Sequence, residues 1–407
     1  MFKIYRGGFM TGQVLALKLH TSVRRNTANF IFTFLGLLTA FGPFVTDMYL
    51  PSLPALTVYF NAPVSLVQMG LTSSMLGLAL GQLLFGPLSD KYGRRRPLLY
   101  SLYLFIVSTA LCIFAPNIEA FVALRFLQGV AASGGIVIAR SVAADKFKNG
   151  NLSKALAIVG AINGIAPIAA PVVGGMMLGY VGWRGIFLAL LVIGFVLLGF
   201  CLNFNESLSR SRRSSESLLK TLKNVPLVFA NRRFLYYTLE LSFALAILFA
   251  YIASSPFVIQ NHYGFSPFAF SLFFAANAVA IGIGAASSVK FGSAARSLKV
   301  SCAGMVAVSL GLAAAMASGA PVAVYEGLLF VLCFMLGMSF TVATAGAMNA
   351  ERARAGTGSA VLGAMGFLFG SVVSPLVGLG DIMLSTGLVL TVCALAASFC
   401  ARRALHA

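Results

Sequence analysis

Three charged side chains stand inside long apolar stretches of this chain of 407 residues. Asp47 lies in FGPFVTDMYLPSLP, residues 41–54, Arg125 in EAFVALRFLQG and Glu240 in FLYYTLELSF. A lone charge at membrane depth costs roughly 2.5 to 3.5 kcal/mol, so it persists only with a partner or a task. A carboxyl group near an arginine can bind and release a proton as their separation or hydration changes. These residue types therefore point to proton transfer.

The depths of Asp47 and Arg125 along their apolar stretches favour a pair. Asp47 precedes Pro51 by four residues, which places it roughly 6 Å below the outer end of its stretch. Arg125 lies about five residues into its own stretch, at a depth of roughly 8 Å. An opposite charge within reach lowers the cost of burying both groups. We predict that the pair couples to protons. The alternative is that Asp47 only closes the end of its stretch near the headgroups.

Glu240 is interpreted as the other acidic residue within an apolar stretch. It lies about eight residues from the inner end of that stretch and is a candidate for an inner proton site, or for a group that attracts cationic substrates. Two alternatives stay open, which are snorkelling of the carboxylate to the inner surface and pairing with Arg233.

The composition indicates an integral membrane protein. Hydrophobic residues make up 59% of the chain and charged residues 10%, with a mean hydropathy of +0.92, far from the values of soluble proteins. Apolar runs of about 18 to 25 residues can each cross the membrane as a helix. We place twelve such spans, near residues 30–50, 65–88, 97–115, 120–142, 154–178, 184–203, 233–255, 267–289, 298–318, 322–347, 356–378 and 382–401.

The formal net charge of +19 is distributed along the chain in a way that argues against nucleic-acid binding. The two ends of the chain and alternate connections between spans carry 27 of the 29 Lys and Arg residues, and the remaining two are Arg125 and Arg184. This asymmetry predicts that both termini and the long central loop face the cytoplasm. The basic surplus then faces anionic membrane lipid.

A polar interruption at residues 205–224 divides the spans into six and six. We therefore predict an all-α fold of two six-helix pseudo-repeat bundles. Span 5 carries Pro171 and Gly174, and span 11 carries Pro375 and Gly378 with the same spacing. The predicted units are a tail (1–25), a first bundle (26–204), a linker (205–231), a second bundle (232–402) and a C-terminal tail (403–407).

The connection between spans 2 and 3 reads GPLSDKYGRRRP and resembles the signature of the major facilitator superfamily, G-x-x-x-D-K/R-x-G-R-K/R. Every position of that signature is filled. The matching residues are Gly86, Asp90, Lys91, Gly93, Arg94 and Arg95. A basic turn that serves only as a topological anchor is the alternative, and it explains the arginines but neither the glycines nor Asp90.

The resemblance implies a latch on the inner side that holds the outward-open state. We expect Gly86 to permit close approach of helices and Gly93 to permit a tight turn. Asp90 is expected to face the N-terminal end of span 11, near residues 355–360.

Span 4 contains R-x-x-Q-G, formed by Arg125, Gln128 and Gly129, and this resembles the second motif of the family. Arg140 and Asp145 stand near the inner end of the same span, at the level of the latch. Arg140 is therefore assigned to the latch as well.

Span 5 resembles the third motif of the family, which is found in antiporters. Pro171, Gly174 and Gly175 match it, whereas Ala170 replaces a glycine of the family pattern. Small residues still allow helices to pack closely, and ordinary helix packing is the alternative explanation.

The segment TDMYLP at the end of span 1 is similar to the Bcr/CflA branch, which comprises multidrug and bicyclomycin-type proton antiporters. The resemblance covers about residues 30 to 400 and implies a monomer in a bacterial inner membrane. Seven further residues are candidates for the lining of a substrate cavity. These are Tyr49, Gln128, Asn163, Tyr236, Phe243, Tyr251 and Asn277.

The resulting prediction is a secondary transporter that exports drugs or other small amphipathic compounds in exchange for protons. A proton-coupled exporter of a native metabolite, such as an amino acid or siderophore, is the alternative. The spans contain no group of residues typical of a catalytic nucleophile, no spacing typical of metal ligands and no sequence that resembles a selectivity filter. An enzyme and a channel are thus disfavoured, and we expect no cofactor and no metal.

Overall fold

The computed structural model describes residues 27–147, 150–213, 225–291, 293–351 and 355–406, and this part of the chain is helical, without β-strands. The predicted N-terminal tail and residues 214–224 of the predicted linker lie outside the described residues.

Thirteen α-helices occur within these ranges. They are α1 (Ala28–Asp47), α2 (Leu53–Phe60), α3 (Val64–Tyr92), α4 (Arg95–Ile113), α5 (Ile118–Lys146), α6 (Gly150–Asn203), α7 (Val225–Phe229), α8 (Arg232–Phe257), α9 (Pro267–Ser287), α10 (Ala294–Ala317), α11 (Val322–Ala350), α12 (Ala355–Leu376) and α13 (Ile382–His406). A short 3-10 turn, Leu50–Ser52, joins α1 to α2, and a π turn, Val258–His262, follows α8.

Eleven helical segments of the described residues are long and apolar enough to cross a membrane. One of them, Gly164–Asn203, belongs to α6 and contains a break at Gly182, where φ is 64° and ψ is −176°. Glycine accommodates this positive φ because it has no Cβ atom. Two of the predicted spans, 154–178 and 184–203, lie on either side of this break.

Polar side chains begin several of the long helices. Asn117, Asn231, Ser266 and Ser293 each accept a hydrogen bond from a backbone N–H in the first turn of the helix that follows. Such caps satisfy donors that have no partner within the helix. Along the helices, leucine, valine and phenylalanine side chains also cover the outer surface, where Phe195 and Phe399 are exposed. This outer apolar surface suits contact with lipid.

The helices before residue 213 pack mainly on one another, as do those after residue 225. In the first set α3 lies along α5, and α9 lies along α11 in the second. Contacts between the two sets are made chiefly by α3 with α12 and by α6 with α9. The two sets therefore meet along two helix pairs.

The molecule has two ends, which differ in charge. The end here called the basic end carries the α3–α4 connection with Arg94, the C-terminus of α5 and the start of α8. The other end, here called the closed end, carries the short turns after α1 and α8. Three described hydrogen bonds join the two helix sets, and all three lie toward the closed end. They run from Gln68 Nε2 to Ala253 O (3.0 Å), from Gln260 Nε2 to Pro51 O (3.0 Å) and from Ser271 Oγ to Pro171 O (2.7 Å).

Candidate functional site

A cavity of about 340 Å³ lies between the two helix sets. Its volume is within the range of roughly 300 to 1,000 Å³ that is common for small-molecule sites. Residues of α1, α3, α5 and α6 line one side, and residues of α8, α9 and α12 line the other. Four aromatic rings contribute to its walls, those of Phe249, Tyr251, Phe274 and Phe367. The cavity therefore presents a largely apolar surface to any ligand.

Two charged residues are among the described residues that line this cavity, Asp47 and Arg140. Asp47 is the last residue of α1 and is half-buried. Arg140 projects from α5 nearer the basic end and is exposed. A carboxylate at one level and a guanidinium at another give the cavity one site for a cation or proton and one for an anion.

Arg125 is completely buried behind the cavity wall. Its guanidinium carbon lies 4.1 Å from the centroid of the Tyr49 ring, and its Nη1 donates to the carbonyl of Val45 (3.1 Å) and to Gln128 Oε1. Gln128 in turn donates to the hydroxyl of Thr109 (2.7 Å). Rings and neutral dipoles thus hold this cation in place.

The predicted ion pair between Asp47 and Arg125 is not formed in this structure, although the two residues lie near the same level. Asp47 lines the cavity, whereas Arg125 binds the carbonyl of Val45 and the Tyr49 ring. Residues two positions apart on a helix point to nearly opposite sides. Depth along a helix therefore indicated the level of the two charges, but not the direction in which each side chain points.

Glu240 is fully buried within the second helix set. Its carboxylate accepts hydrogen bonds from Ser339 Oγ of α11 and from Cys302 Sγ of α10 (3.5 Å). Neither alternative from the sequence is observed, since Glu240 does not reach the surface and makes no ion pair with Arg233. It is also absent from the described lining of the cavity.

A further acidic residue, Glu326, was not among the candidates predicted from the sequence, and it lies in the first two turns of α11. Its Oε2 accepts a hydrogen bond from Asn277 Nδ2 (3.0 Å), and Asn277 Nδ2 also donates to the hydroxyl of Tyr251 (3.2 Å). The expectation that Asp47 and Glu240 account for the acidic residues within spans is therefore wrong. The sequence did contain a signal for Glu326, because this residue lies four positions after Val322, the first residue of a predicted span.

The remaining cavity candidates are distributed over several places. Tyr251 lines the cavity, and Asn277 donates a hydrogen bond to the Tyr251 hydroxyl without being among the described lining residues. Tyr49 and Gln128 instead surround Arg125. Tyr236 and Phe243 are half-buried against the core of the second helix set and are not among the described lining residues. The side chain of Asn163 lies outside the described part of the structure.

The predicted latch forms a charged network at the basic end, centred on Arg94. Arg94 pairs with Asp90 and with Asp145 (2.9 Å), and it donates to Ser89 Oγ (2.9 Å). Burial lowers the pKa of Arg94, but the hydrogen bonds that Arg94 donates to Asp145 and Asp90 outweigh that effect and raise the pKa above its usual value. Arg94 therefore keeps its charge at any physiological pH.

Glu206, which follows α6, extends this network. It accepts hydrogen bonds from the backbone N–H groups of Arg94 (2.8 Å) and Arg95 (3.2 Å) at the start of α4. Gly93 has a φ of 91°, and a Cβ added there would lie 2.4 Å from Glu206 Oε2. The tight turn expected at Gly93 is therefore present, and it also leaves room for a carboxylate.

Other parts of the predicted latch differ from expectation. A Cβ on Gly86 would lie 3.8 Å from Val137, so no close helix approach requires glycine there. Lys91 is exposed, with its ammonium over the Tyr92 ring. Arg140 lines the cavity instead of joining Arg94. The expected contact of Asp90 with residues 355–360 falls partly on side chains outside the described ones.

The antiporter-type motif of α6 lies at the junction of three helices near Asp47. A Cβ added to Gly174 would lie 1.8 Å from the carbonyl oxygen of Met48 in the first set, and one added to Gly175 would lie 2.2 Å from Ser271 Oγ in the second. The carbonyl of Pro171 accepts the hydrogen bond from Ser271. Small residues are therefore required here by contact with backbone on both sides.

The family model described as Major Facilitator Superfamily matches residues 33–375 of the chain. The chain belongs to the Major Facilitator Superfamily. Because this family consists of transporters, the protein is a transporter and not an enzyme.

Relatives within the superfamily indicate its multidrug branch. The chain is 38% identical to the Uncharacterized MFS-type transporter YdgK of Bacillus subtilis (strain 168), over 85% of this chain and 88% of that protein. It is 30% identical to a Bicyclomycin resistance protein homolog of Haemophilus influenzae, over 63% of this chain and 64% of that protein. It is 31% identical to the Multidrug transporter MdfA of Yersinia pestis, over 56% and 55% of the two chains.

Solved structures support the superfamily fold. The inward-facing, occupied form of a bacterial homolog of the human lysosomal transporter Spinster matches with a TM-score of 0.73 at 13% identity, covering 93% of this chain and 96% of that one. A partially occluded, inward-open form of the xylose transporter XylE from E. coli matches with a TM-score of 0.68 at 15% identity, covering 90% and 96%. At these identities the likeness concerns the fold alone.

Proposed function

We propose that this transporter exports small amphipathic, drug-like compounds in exchange for protons by alternating access. The observation that carries the proposal is the cavity between the two helix sets, in which Asp47 is the acidic group among the described lining residues. The cavity ends near hydrogen bonds that join the two sets at the closed end. One acid in an apolar cavity that is sealed on one side suits exchange of a proton for a ligand.

The proposed topology has twelve spans, with both termini in the cytoplasm of a bacterium and the protein in its inner membrane. The break at Gly182 supports two spans within α6, and the basic connections favour a cytoplasmic position for the basic end. The units are the bundles 26–204 and 232–402 with the linker 205–231 between them, in a monomer. With this topology the closed end faces outward, and the proposed state is therefore inward-facing.

Asp47 is proposed to bind a proton from the outer side and to release it inward when substrate enters the cavity. Arg125 supports this exchange without an ion pair, because its charge remains near Asp47 while rings and carbonyls hold its position. Moving one charge through 100 mV is worth about 2.3 kcal/mol, which is enough for modest accumulation.

The substrate class is proposed from the cavity walls and from the relatives. The rings of Phe249, Tyr251, Phe274 and Phe367 suit an amphipathic compound with an apolar body. The names of two relatives refer to multidrug transport and to bicyclomycin resistance. Export of a native metabolite, an amino acid or a siderophore, is the second candidate. Arg140 favours it, because an exposed guanidinium in the cavity can bind a carboxylate.

The experiment measures proton release from acidified inverted membrane vesicles after addition of chloramphenicol, tetraphenylphosphonium or an amino-acid mixture. Asp47→Asn is compared with the wild type and with Glu119→Gln, which changes an exposed acid at the start of α5. We expect drug-driven release in the wild type and in Glu119→Gln, and none in Asp47→Asn at equal protein level.

Undiminished release by Asp47→Asn would refute the role of Asp47 in coupling. Release with amino acids but not with either drug would favour the metabolite exporter. Absence of release with every compound would contradict proton antiport.

A further inference from the structure

A second polar cluster lies behind the cavity, within the second helix set. It consists of Tyr251 from α8, Asn277 from α9 and Glu326 from α11, so it joins three helices. Asn277 is buried, and its amide nitrogen donates to both neighbours, to Glu326 Oε2 at 3.0 Å and to the Tyr251 hydroxyl oxygen at 3.2 Å. Both amide protons are therefore committed, and the Tyr251 hydroxyl keeps its own proton for another acceptor.

Tyr251 connects this cluster to the substrate cavity. Its ring lines the cavity and stacks on the Phe274 ring, with centroids 5.6 Å apart. Glu326 is not among the described residues that line the cavity. A ligand in the cavity can therefore contact Tyr251 directly, whereas it reaches Glu326 only through Asn277.

The groups that face Glu326 do not neutralise a carboxylate. The titratable ones are Tyr251 of α8, Tyr263 after the π turn, and Tyr325 and Cys333 of α11 itself. The described ion pairs do not include Glu326. Burial, and secondly the nearby Glu326, raise the pKa of the Tyr263 phenol, which lies outside the span. Glu326 is half-buried among phenols and an amide in the first turns of a membrane-spanning helix, so a proton is the simplest way to neutralise its charge.

We propose that Glu326 is a second proton-binding site, linked to the substrate cavity through Asn277 and Tyr251. The inference rests on the proposed function and adds a site in the second helix set to Asp47 in the first. The ionised carboxylate accepts a charge-assisted hydrogen bond from Asn277, which is roughly twice as strong as a neutral one. Protonation of Glu326 weakens this bond, so the position of Asn277 and of the Tyr251 hydroxyl responds to the proton.

The link is reciprocal, as any coupling between two binding sites must be. If protonation of Glu326 weakens substrate binding at Tyr251, substrate binding promotes release of that proton by the same factor. The step is a simple acid dissociation, in which the carboxylic acid gives its proton to water and becomes a carboxylate. Glu240 differs from this site, because its hydrogen bonds come from Ser339 and Cys302 and do not lead to a cavity-lining residue.

The test measures how the Kd of the purified protein in detergent depends on pH, with neutral chloramphenicol and cationic tetraphenylphosphonium as probes. Proton-linked binding makes affinity rise with pH. We expect the slope of log Kd against pH to fall by about half in Glu326→Gln and in Asp47→Asn, and to vanish in the double variant. Glu119→Gln is the control and should keep the wild-type slope.

Infrared titration of the same samples identifies the group that binds the proton. The carbonyl band of protonated carboxyl groups should lose one component in Glu326→Gln. Tyr251→Phe keeps the ring and removes the hydroxyl, so it should retain that component while its slope falls as in Glu326→Gln. This variant also tests the link if Glu326→Gln does not fold.

The two proposals fail in different ways. The second proton site would be overturned if Glu326→Gln kept both the wild-type slope of log Kd against pH and the wild-type infrared band. In that case a reduced slope in Asp47→Asn would still leave the proposed antiport intact. A wild-type slope in Tyr251→Phe would overturn the link through Tyr251. If neither probe shows a slope with the wild-type protein, the proposed function itself is refuted.

Discussion

At the residue scale, Arg125 shows how a charge is kept inside a membrane protein by neutral groups. Its guanidinium stacks on Tyr49 and donates to a backbone carbonyl and to Gln128. The planar shape of the guanidinium is essential to the stacking, and Nη1 alone makes both hydrogen bonds, while Nε and Nη2 are buried without an acceptor among the described residues. Arg125 therefore serves as a fixed positive charge behind Asp47, and its geometry matters as much as its charge.

Arg125→Lys should lower the stability of the protein and its transport activity. Lysine keeps the charge but loses the stacking on Tyr49, which is worth about 2 kcal/mol for a desolvated pair. Arg184→Lys is the matched control, since Arg184 also stacks on Tyr59 (4.5 Å) but is exposed. Thermal unfolding in detergent measures the difference. Equal shifts in the two variants would contradict the role assigned to burial.

Gly93→Ala should destabilise the basic end, whereas Gly86→Ala should have little effect. The backbone of Gly93 adopts φ 91° and ψ 166°, a conformation that costs other residues about 1 to 3 kcal/mol. Its new methyl group would also meet Glu206, while that of Gly86 would only touch Val137. Unfolding midpoints of both variants test this. A larger loss in Gly86→Ala would refute the assignment.

At the element scale, α6 is a helix that packs against helices of both sets beside the cavity. Gly174 lies against the end of α1, Gly175 lies against the start of α9, and Pro171 accepts a hydrogen bond from Ser271. The corresponding contact in the other direction is made by Gly378, beyond α12, against Gln68 and Ser65 of α3. Of the two glycines with the P-x-x-G spacing, Gly174 therefore contacts its own helix set, whereas Gly378 contacts the other set.

Gly174→Ala should separate α1 from α6 and impair transport. Its Cβ would lie 1.8 Å from the Met48 carbonyl oxygen, and overpacking of this kind costs about 1 to 3 kcal/mol. Gly164→Ala in the same helix is the control, because no atom lies within 4 Å of its added Cβ and alanine favours helix. Vesicle transport and unfolding midpoints compare the two. An unaffected Gly174→Ala variant would contradict the close contact.

At the scale of the whole molecule, the two helix sets enclose a cavity and are joined by hydrogen bonds toward one end. Ser359 lies on the cavity wall and is exposed, whereas Ser271 is completely buried between the sets. Under the proposed topology, Ser359 is accessible from the cytoplasm. Ser271 becomes accessible only when the closed end opens.

Cysteine labelling tests this arrangement of the whole molecule. In inverted vesicles at rest, a membrane-impermeant maleimide should label Ser359→Cys and leave Ser271→Cys unlabelled. The wild type supplies the background, since its six cysteines are buried. During proton-driven turnover we expect Ser271→Cys to gain reactivity toward the same maleimide enclosed within the vesicles, where it meets the outer side of the protein. Labelling of Ser271→Cys at rest would contradict the closed state.

Sequence alone determined the membrane-spanning helices, the family and the level of the charged groups. Apolar length, basic connections and the signature from Gly86 to Arg95 are local properties of the chain, so they can be identified without any tertiary contact. For the same reason the turn at Gly93 and the small residues of α6 were anticipated correctly.

Tertiary structure decided where the side chains point and which groups meet. Asp47 and Arg125 share a level but face different sides of α1, and Arg140 belongs to the cavity instead of the network of Arg94. Glu326 gained its hydrogen-bond partner, Asn277, from another helix, and Asn277 joins it to Tyr251 of a third. Helix rotation and the packing of distant segments set these directions, and neither is encoded in the spacing along one segment.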